Sequence, residues 1–307
     1  MRRSECASVK DVAAAVRHDE AVIGWTRFAR LLVLALVIGL GIANLYWSVT
    51  AWTLSDAGAY WEAAQRLREG GELYPVVADV EASEVYRYAP WFAWLAVPFT
   101  YLPQAVAGAI WSAALVAASV LAVVPLGRRR AWVAVAFFLP ILIGISAVGN
   151  VQPLMVASLV WGVERRSGPL WIALSASLKV VPILLVLVYL GRREWLRAAA
   201  AVAIAAVLAA HAFVYDLSGY VTTSGDAGGL IEVPVLFGLS VAAAMAATLA
   251  LARGRYGWLA AATSAVVATP RLFVYDVTYV LVGVAGSSRD TIRTPSSAAR
   301  ETTQRRP

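Results

Sequence analysis

AVAGAIWSAALVAASVLAVVPL, residues 105–126, carries no acidic or basic side chain. It exceeds the roughly 18–20 apolar residues that a helix needs to cross about 30 Å of hydrocarbon. Leu31 to Val49, Ala131 to Val148 and Ala198 to Val214 are built the same way. Across the 307 residues, 60% are apolar and 15% charged, with a mean hydropathy of +0.69. A soluble domain carries about 45–50% apolar and about 25% charged residues. A single water-soluble core and a disordered chain are both excluded. The expected fold class is an all-α polytopic membrane protein with about eight or nine hydrophobic segments.

The net charge is +7. Its cations gather between apolar blocks, at Arg128-Arg129-Arg130, Arg165-Arg166, Arg192-Arg193 and Arg253/Arg255. That pattern is what the positive-inside rule produces. No basic stripe with interleaved aromatics is present, so no nucleic-acid partner is expected. The single cysteine, Cys6, allows no intrachain disulfide. His18 and His211 lie far apart in sequence, and no metal site is expected from them. Walker A, GxGxxG and GxSxG motifs are missing, so nucleotide-driven transport and serine hydrolysis have no support.

Residues 1–27 are too polar for a signal peptide and read as a cytoplasmic tail, with Arg2, Arg3, Arg17, Arg27 and Arg30 holding it inside. Residues 28–285 form the membrane domain, beginning with an uncleaved helix over Phe28 to Ser48. Residues 286–307 are rich in Ser, Thr and Arg and read as a disordered tail. The hydrophilic stretch 53–87 is an outer loop. Within it Ser55 is placed to cap a helix that starts at Asp56, and Gly70-Gly71 to stop it. Ala57, Tyr60, Trp61, Ala64 and Leu67 recur at helical spacing, which predicts an amphipathic helix on the membrane surface, with Tyr60 and Trp61 at headgroup level. Tyr88 to Pro103 is short and broken by Pro90, Pro98 and Pro103, so it is expected to be re-entrant or interfacial. Val151 to Val163, Leu170 to Leu178 and Val180 to Leu190 are also too short to cross. Half-depth helices survive only where protein covers them or a wet cavity lies beside them, so the middle of the chain is expected to surround a cavity.

Six places carry chemistry or an ordinary structural duty. Lys179 is one of two lysines against 24 arginines and sits in an apolar stretch with no neighbouring charge. It is either a functional cation suited to a phosphate or a lysine reaching for the interface. Asp56 is either a general base or a complement to a helix dipole. Arg87, between Tyr86 and Tyr88, either grips a phosphate or anchors an aromatic belt. Asn150 and Gln152 either bind sugar hydroxyls or cap a helix. Arg271 and Asp276 form a charged pair inside the last apolar stretch, structural or functional. His211 reads as a satisfied polar residue rather than a ligand.

Taken in order, several segments are collinear with one family. They are Ser-Asp-Ala-Gly-Ala-Tyr-Trp-Glu-Ala-Ala (55–64), Gly-Gly-Glu-Leu-Tyr-Pro (70–75), Tyr-Arg-Tyr-Ala-Pro (86–90) and Gly-Asn-Val-Gln-Pro (149–153). Glu-Arg-Arg (164–166), Ser-Leu-Lys-Val-Val-Pro (177–182) and Gly-Arg-Arg-Glu-Trp (191–195) follow, with Thr-Pro-Arg-Leu-Phe-Val-Tyr-Asp (269–276) at the end. The chain resembles the GT-C superfamily of polyprenyl-phosphate-sugar-dependent glycosyltransferases, and within it glycosyltransferase family 87, which includes actinobacterial-type mannosyltransferases. The resemblance implies a GT-C type transmembrane helix bundle with half-depth helices around a cavity. It implies inverting transfer of a sugar, with mannose favoured, from a polyprenyl-phosphate donor to a cell-envelope glycolipid or glycan acceptor at the outer face of a multi-pass protein. By resemblance Asp56 is the general base, and Lys179 and Arg87 hold the donor phosphate. Tyr60, Tyr88, Asn150, Gln152, Arg271 and Asp276 are expected to line the pocket. No cofactor is implied beyond the lipid carrier, and nothing in the sequence indicates a divalent metal. The expected partners are the lipid-linked donor, the acceptor and membrane lipids.

Two other readings compete. The loop from Asp216 to Pro234 is brief where relatives carry a longer acceptor loop, which suits a non-catalytic relative that binds lipid-linked sugar or scaffolds another transferase. The broken helices suit a lipid-sugar transporter, although no strong internal repeat accompanies them.

Overall fold

The computed structural model describes residues 55–77, 85–220 and 233–286, with a few positions between 28 and 46. The expected first membrane helix, the tail 1–27 and the tail 287–307 lie wholly or largely outside these residues. Among the described residues the chain is all-helical. The helices are α1 (Ser55–Arg68), α2 (Pro90–Ala96), α3 (Gln104–Arg128), α4 (Trp132–Ser146), α5 (Gln152–Gly162) and α6 (Gly168–Leu178). They continue with α7 (Val186–Gly191), α8 (Trp195–Ala209), α9 (Pro234–Leu251), α10 (Gly257–Val267) and α11 (Val280–Gly286). Short 3-10 segments occupy Val97–Tyr101, Val181–Leu185, Ala210–Phe213 and Val274–Tyr279.

Two of these helices, α3 and α9, are long and apolar enough to cross a membrane. On α9 Val235 and Leu239 are exposed, a surface that suits lipid rather than water. By contrast α5 and α6 have 11 residues each, about 16 Å at 1.5 Å per residue. They are too short to cross, and both are largely covered by their neighbours, as short apolar helices within a bilayer must be. Leu159 and Ile172 are fully buried between them. In the same way the seven residues of α2 and the five of the following 3-10 segment are too few to cross.

Polar contacts give the bundle a sense of direction. Arg128 lies over the Trp161 ring, 5.6 Å from its centroid. Glu164 accepts from Arg192 at 3.0 Å and from the Trp258 indole. Arg192 also reaches the Ala252 carbonyl at 2.8 Å, and Arg197 the Arg165 carbonyl at 2.6 Å. The arginine clusters therefore share one end. Residues 149–152, Lys179 and Asp276 gather at the other. Small hydroxyls tie neighbouring helices together between the ends: Ser119 meets Ser146 at 3.3 Å, and Thr248 meets Ser264 at 2.8 Å.

Helix α1 begins at Ser55 and carries Asp56 in its first turn. Its stop is Gly70, whose φ of 75° only glycine adopts without strain, while Gly71 N–H returns to the Arg66 carbonyl at 2.8 Å. Much of the apolar face of α1 is covered by protein. Tyr60, Ala63 and Ala64 are buried against α2, the 3-10 segment after it and α3. Tyr60 packs inside the protein rather than standing exposed, because helical spacing identifies an apolar face without saying what covers it.

Candidate active site

The site starts where α1 meets the turn before α5. The Asp56 backbone N–H donates to the Val148 carbonyl at 3.0 Å. This gives one of the unpaired donors of the first helical turn an acceptor. The next residue in the turn, Gly149, has φ 77°. A Cβ there would sit 2.5 Å from the Ala57 Cβ and 2.8 Å from its nitrogen. Glycine is required both for the backbone and for the approach of α1. The contact brings two distant segments together: Asn150 Nδ2 donates to Asp56 Oδ2 at 2.5 Å.

From Asn150 the polar chain runs on. The Gln152 backbone N–H donates to Asn150 Oδ1 at 2.9 Å. The Gln152 side chain is fully buried; its Oε1 accepts from Lys179 Nζ at 3.0 Å and its Nε2 lies 3.4 Å from Thr278 Oγ1. Lys179 sits just after α6, where the chain turns extended before the next 3-10 segment. Its ammonium lies 3.7 Å from Asp276 Oδ1 and 4.4 Å from the Tyr275 ring centroid. Asp276 is held in turn, since its Oδ2 accepts the Phe273 backbone N–H at 2.9 Å. The order Asp56, Asn150, Gln152, Lys179, Asp276 is thus one continuous network joining α1, the 149–152 turn, the α6 terminus and the last 3-10 segment.

Burial raises the Asp56 pKa above the ordinary carboxylate value; the Asn150 hydrogen bond and the nearby positive charges of Lys179 and Arg87 pull it part of the way back. A carboxylate tuned upward and held by one donor is equipped to accept a proton from a hydroxyl. A cation within reach of the same small volume is equipped to stabilise negative charge.

The remaining expected residues occupy graded positions. Tyr88 places its hydroxyl 3.5 Å from Asn150 Nδ2. Tyr60 packs behind it, ring to ring at 5.1 Å, and also contacts Phe92 and Trp111. Arg87 is near enough for its charge to act on Asp56, and its carbonyl accepts from Tyr220 at 3.3 Å. Arg271 lies over the Phe273 ring at 4.9 Å. The expected pairing of Asp276 with Arg271 gives way to a different partner, because the Asp276 carboxylate turns to Lys179.

Several residues were not anticipated. Tyr275 supplies the aromatic face under Lys179. Thr278 and Tyr279 are fully buried beside Gln152 and Asp276. Trp111 donates its indole N–H to the Gly149 carbonyl at 2.7 Å and so braces the turn. The block 269–276 held the usable signal for Tyr275: an aromatic next to an acid in an apolar stretch. Beside the start of α1 is a cavity of about 290 Å³, walled by Ala57, Gly58, Tyr60, Phe92, Gly108 and Trp111 among others and almost wholly apolar. Among the described residues no group of three or more His, Cys, Asp or Glu side chains gathers as a metal site would require.

A sequence profile of glycosyltransferase family 87 matches residues 86–286. The matched span includes Arg87, Tyr88, Asn150, Gln152, Lys179, Arg271 and Asp276, and it begins after Asp56 and Tyr60. No curated protein and no solved structure matches the chain.

Proposed function

Since the chain belongs to glycosyltransferase family 87, we propose that it is a polytopic membrane enzyme that moves a sugar, with mannose favoured, from a polyprenyl-phosphate donor to a cell-envelope glycolipid or glycan. The reaction is placed at the extracytoplasmic face. The apolar helices and the family suggest the membrane, and the gathering of arginines at the end away from Lys179 supports the choice of face.

The observation that carries the reading is the unbroken network from the Asp56 carboxylate to the Lys179 ammonium. Inverting transfer needs a base on one side of the anomeric carbon and a cation on the other. Asp56 takes the proton as the acceptor oxygen attacks that carbon. The bond from the anomeric carbon to the phosphate oxygen breaks, and its electron pair leaves on the phosphate. Lys179, with Arg87 near the mouth of the site, faces that growing negative charge. Asn150 holds the carboxylate and Gln152 holds the ammonium, so one turn sets the separation of the two groups. The apolar cavity beside Ala57 and Gly58 gives a hydrocarbon chain room next to the base.

The test is a transfer assay on the full chain in native lipid, given radiolabelled polyprenyl-phosphate mannose and a membrane glycolipid extract, with Asp56→Asn in parallel. Label entering a new glycolipid with the wild type alone is the expected result. Equal transfer by the variant would remove Asp56 from the reaction. Binding of the donor without any new glycosidic bond, across a panel of lipid-linked sugars, would favour a non-catalytic relative.

A further inference from the structure

One buried acid in the site has no part in the transfer just described. Asp276 is 2% exposed. One of its oxygens is committed to the Phe273 N–H and the other lies 3.7 Å from Lys179 Nζ. The ammonium already has a neutral oxygen at 3.0 Å from Gln152 and an aromatic face from Tyr275. Those two partners would be enough to aim it. A carboxylate does something they do not: it places one anion where a second anion must arrive.

The charge balance shows the effect. Asp56 and Asp276 bring two negative charges to the site; Lys179 and Arg87 bring two positive ones, and Arg271, whose charge acts on Tyr275, brings a third. A phosphodiester donor brings a negative charge to an ammonium that already has one beside it, and the phosphate monoester left after transfer brings more. The other polar groups packed against the pair, Tyr275, Tyr279, Thr278 and Gln152, are neutral. Among the described residues, only Asp276 makes an ion-pair contact with the cation.

We propose that Asp276 is the resident counter-ion of Lys179, competing with phosphate for it, so that the site holds donor weakly and expels the lipid phosphate after transfer. This rests on the reading that Lys179 receives the phosphate. Asp276 is then a positioning residue that works through Lys179 and touches neither sugar nor acceptor.

The experiment uses the full chain in lipid nanodiscs and two probes, undecaprenyl phosphate and uncharged undecaprenol. Asp276→Asn keeps an oxygen for the Phe273 N–H and removes the charge. It is expected to bind undecaprenyl phosphate about tenfold more tightly than the wild type, with undecaprenol affinity unchanged. In turnover it should show a lower donor KM, a lower kcat and stronger inhibition by undecaprenyl phosphate. If the Asn chain does not fold, Asp276→Ser, neutral and also able to cap, is judged by the same two affinities. Failure of both to fold, or parallel loss of both probes, would make Asp276 structural and overturn the proposal. So would unchanged or weaker phosphate binding by a folded variant. Lys179→Met separates the two levels. If it abolishes phosphate binding while Asp276→Asn changes nothing, the counter-ion role alone falls. If it binds phosphate like the wild type, the placement of the phosphate falls as well.

Discussion

The Asp56 carboxylate and the Asn150 amide, 94 residues apart in the chain, meet at 2.5 Å. Their meeting depends on Gly149, the residue before Asn150, which lets α1 come within contact of the turn. Asn150 in turn fixes Gln152, and Gln152 fixes Lys179. The placement of a base and a cation thus descends from one backbone turn.

Replacing Asp56 by Asn keeps the shape of the side chain and removes its basicity. Transfer should fall by about 10²–10⁴-fold, the usual worth of a general base. The unfolding temperature should stay near that of the wild type. Rates from the radiolabel assay, beside a thermal melt, check both statements.

The pH profile follows from the direction of the Asp56 shift. The base works only as a carboxylate, so activity is present above its pKa and is lost as pH falls through it. Burial has raised that pKa, so the acid limb of kcat/KM should lie above the ordinary carboxylate value. Asn150→Ala removes a hydrogen bond that lowers the pKa, so the limb should move to still higher pH. Movement toward lower pH would contradict the assignment.

Gly149→Ala adds a methyl group where 2.5 Å is available and imposes φ 77° on a residue with a side chain. A strained position of this kind costs about 1–3 kcal/mol. Both stability and transfer should drop. Ala57→Gly on top of Gly149→Ala removes the 2.5 Å contact but neither the 2.8 Å approach to the backbone nitrogen nor the backbone strain, so recovery should be small in a denaturation curve.

The sequence made much of this readable, for identifiable reasons. Long uncharged runs predict α3 and α9 directly. The start of α1 falls at Ser55, one residue before the expected Asp56, and Gly70-Gly71 mark its end because the stop signal is local. Lys179 stands out because an isolated cation in an apolar stretch is costly. The partner of Asp276 was not readable in this way. Arg271 is five residues away and looks like a mate, yet the carboxylate turns to Lys179, supplied by a remote part of the chain. Local spacing carries no information about such pairings. The cover over Tyr60 failed for the same reason, since α2 and α3 are separate segments.

Gly58 faces the apolar cavity, and a Cβ built there meets nothing within 4 Å. Gly58→Ala should stabilise α1 by about 0.5–1 kcal/mol, the helical difference between the two residues. Gly58→Leu should leave the fold intact and fill the cavity. Transfer to long-chain acceptors should then fall more than transfer to short-chain ones, measured as a ratio of kcat/KM values.

Glu164→Gln tests the opposite end. It weakens the contacts with Arg192 and the Trp258 indole, a partly buried cluster whose disruption should cost about 1–3 kcal/mol. Stability should fall while the acid limb of the pH profile stays in place, because the cluster lies at the far end of the bundle from Asp56.

The site has two proprietors along the chain. Lys179, Gln152, Tyr275 and Asp276 come from within residues 86–286, and Asp56 is lent by the loop helix before them. Replacing Asp56 alone would remove the proposed proton acceptor while α1 kept its packing and the ammonium and its surroundings stayed assembled. On the proposed chemistry, a protein of this architecture would turn from transferase to receptor for lipid phosphates by the change of that one side chain, with the bundle untouched.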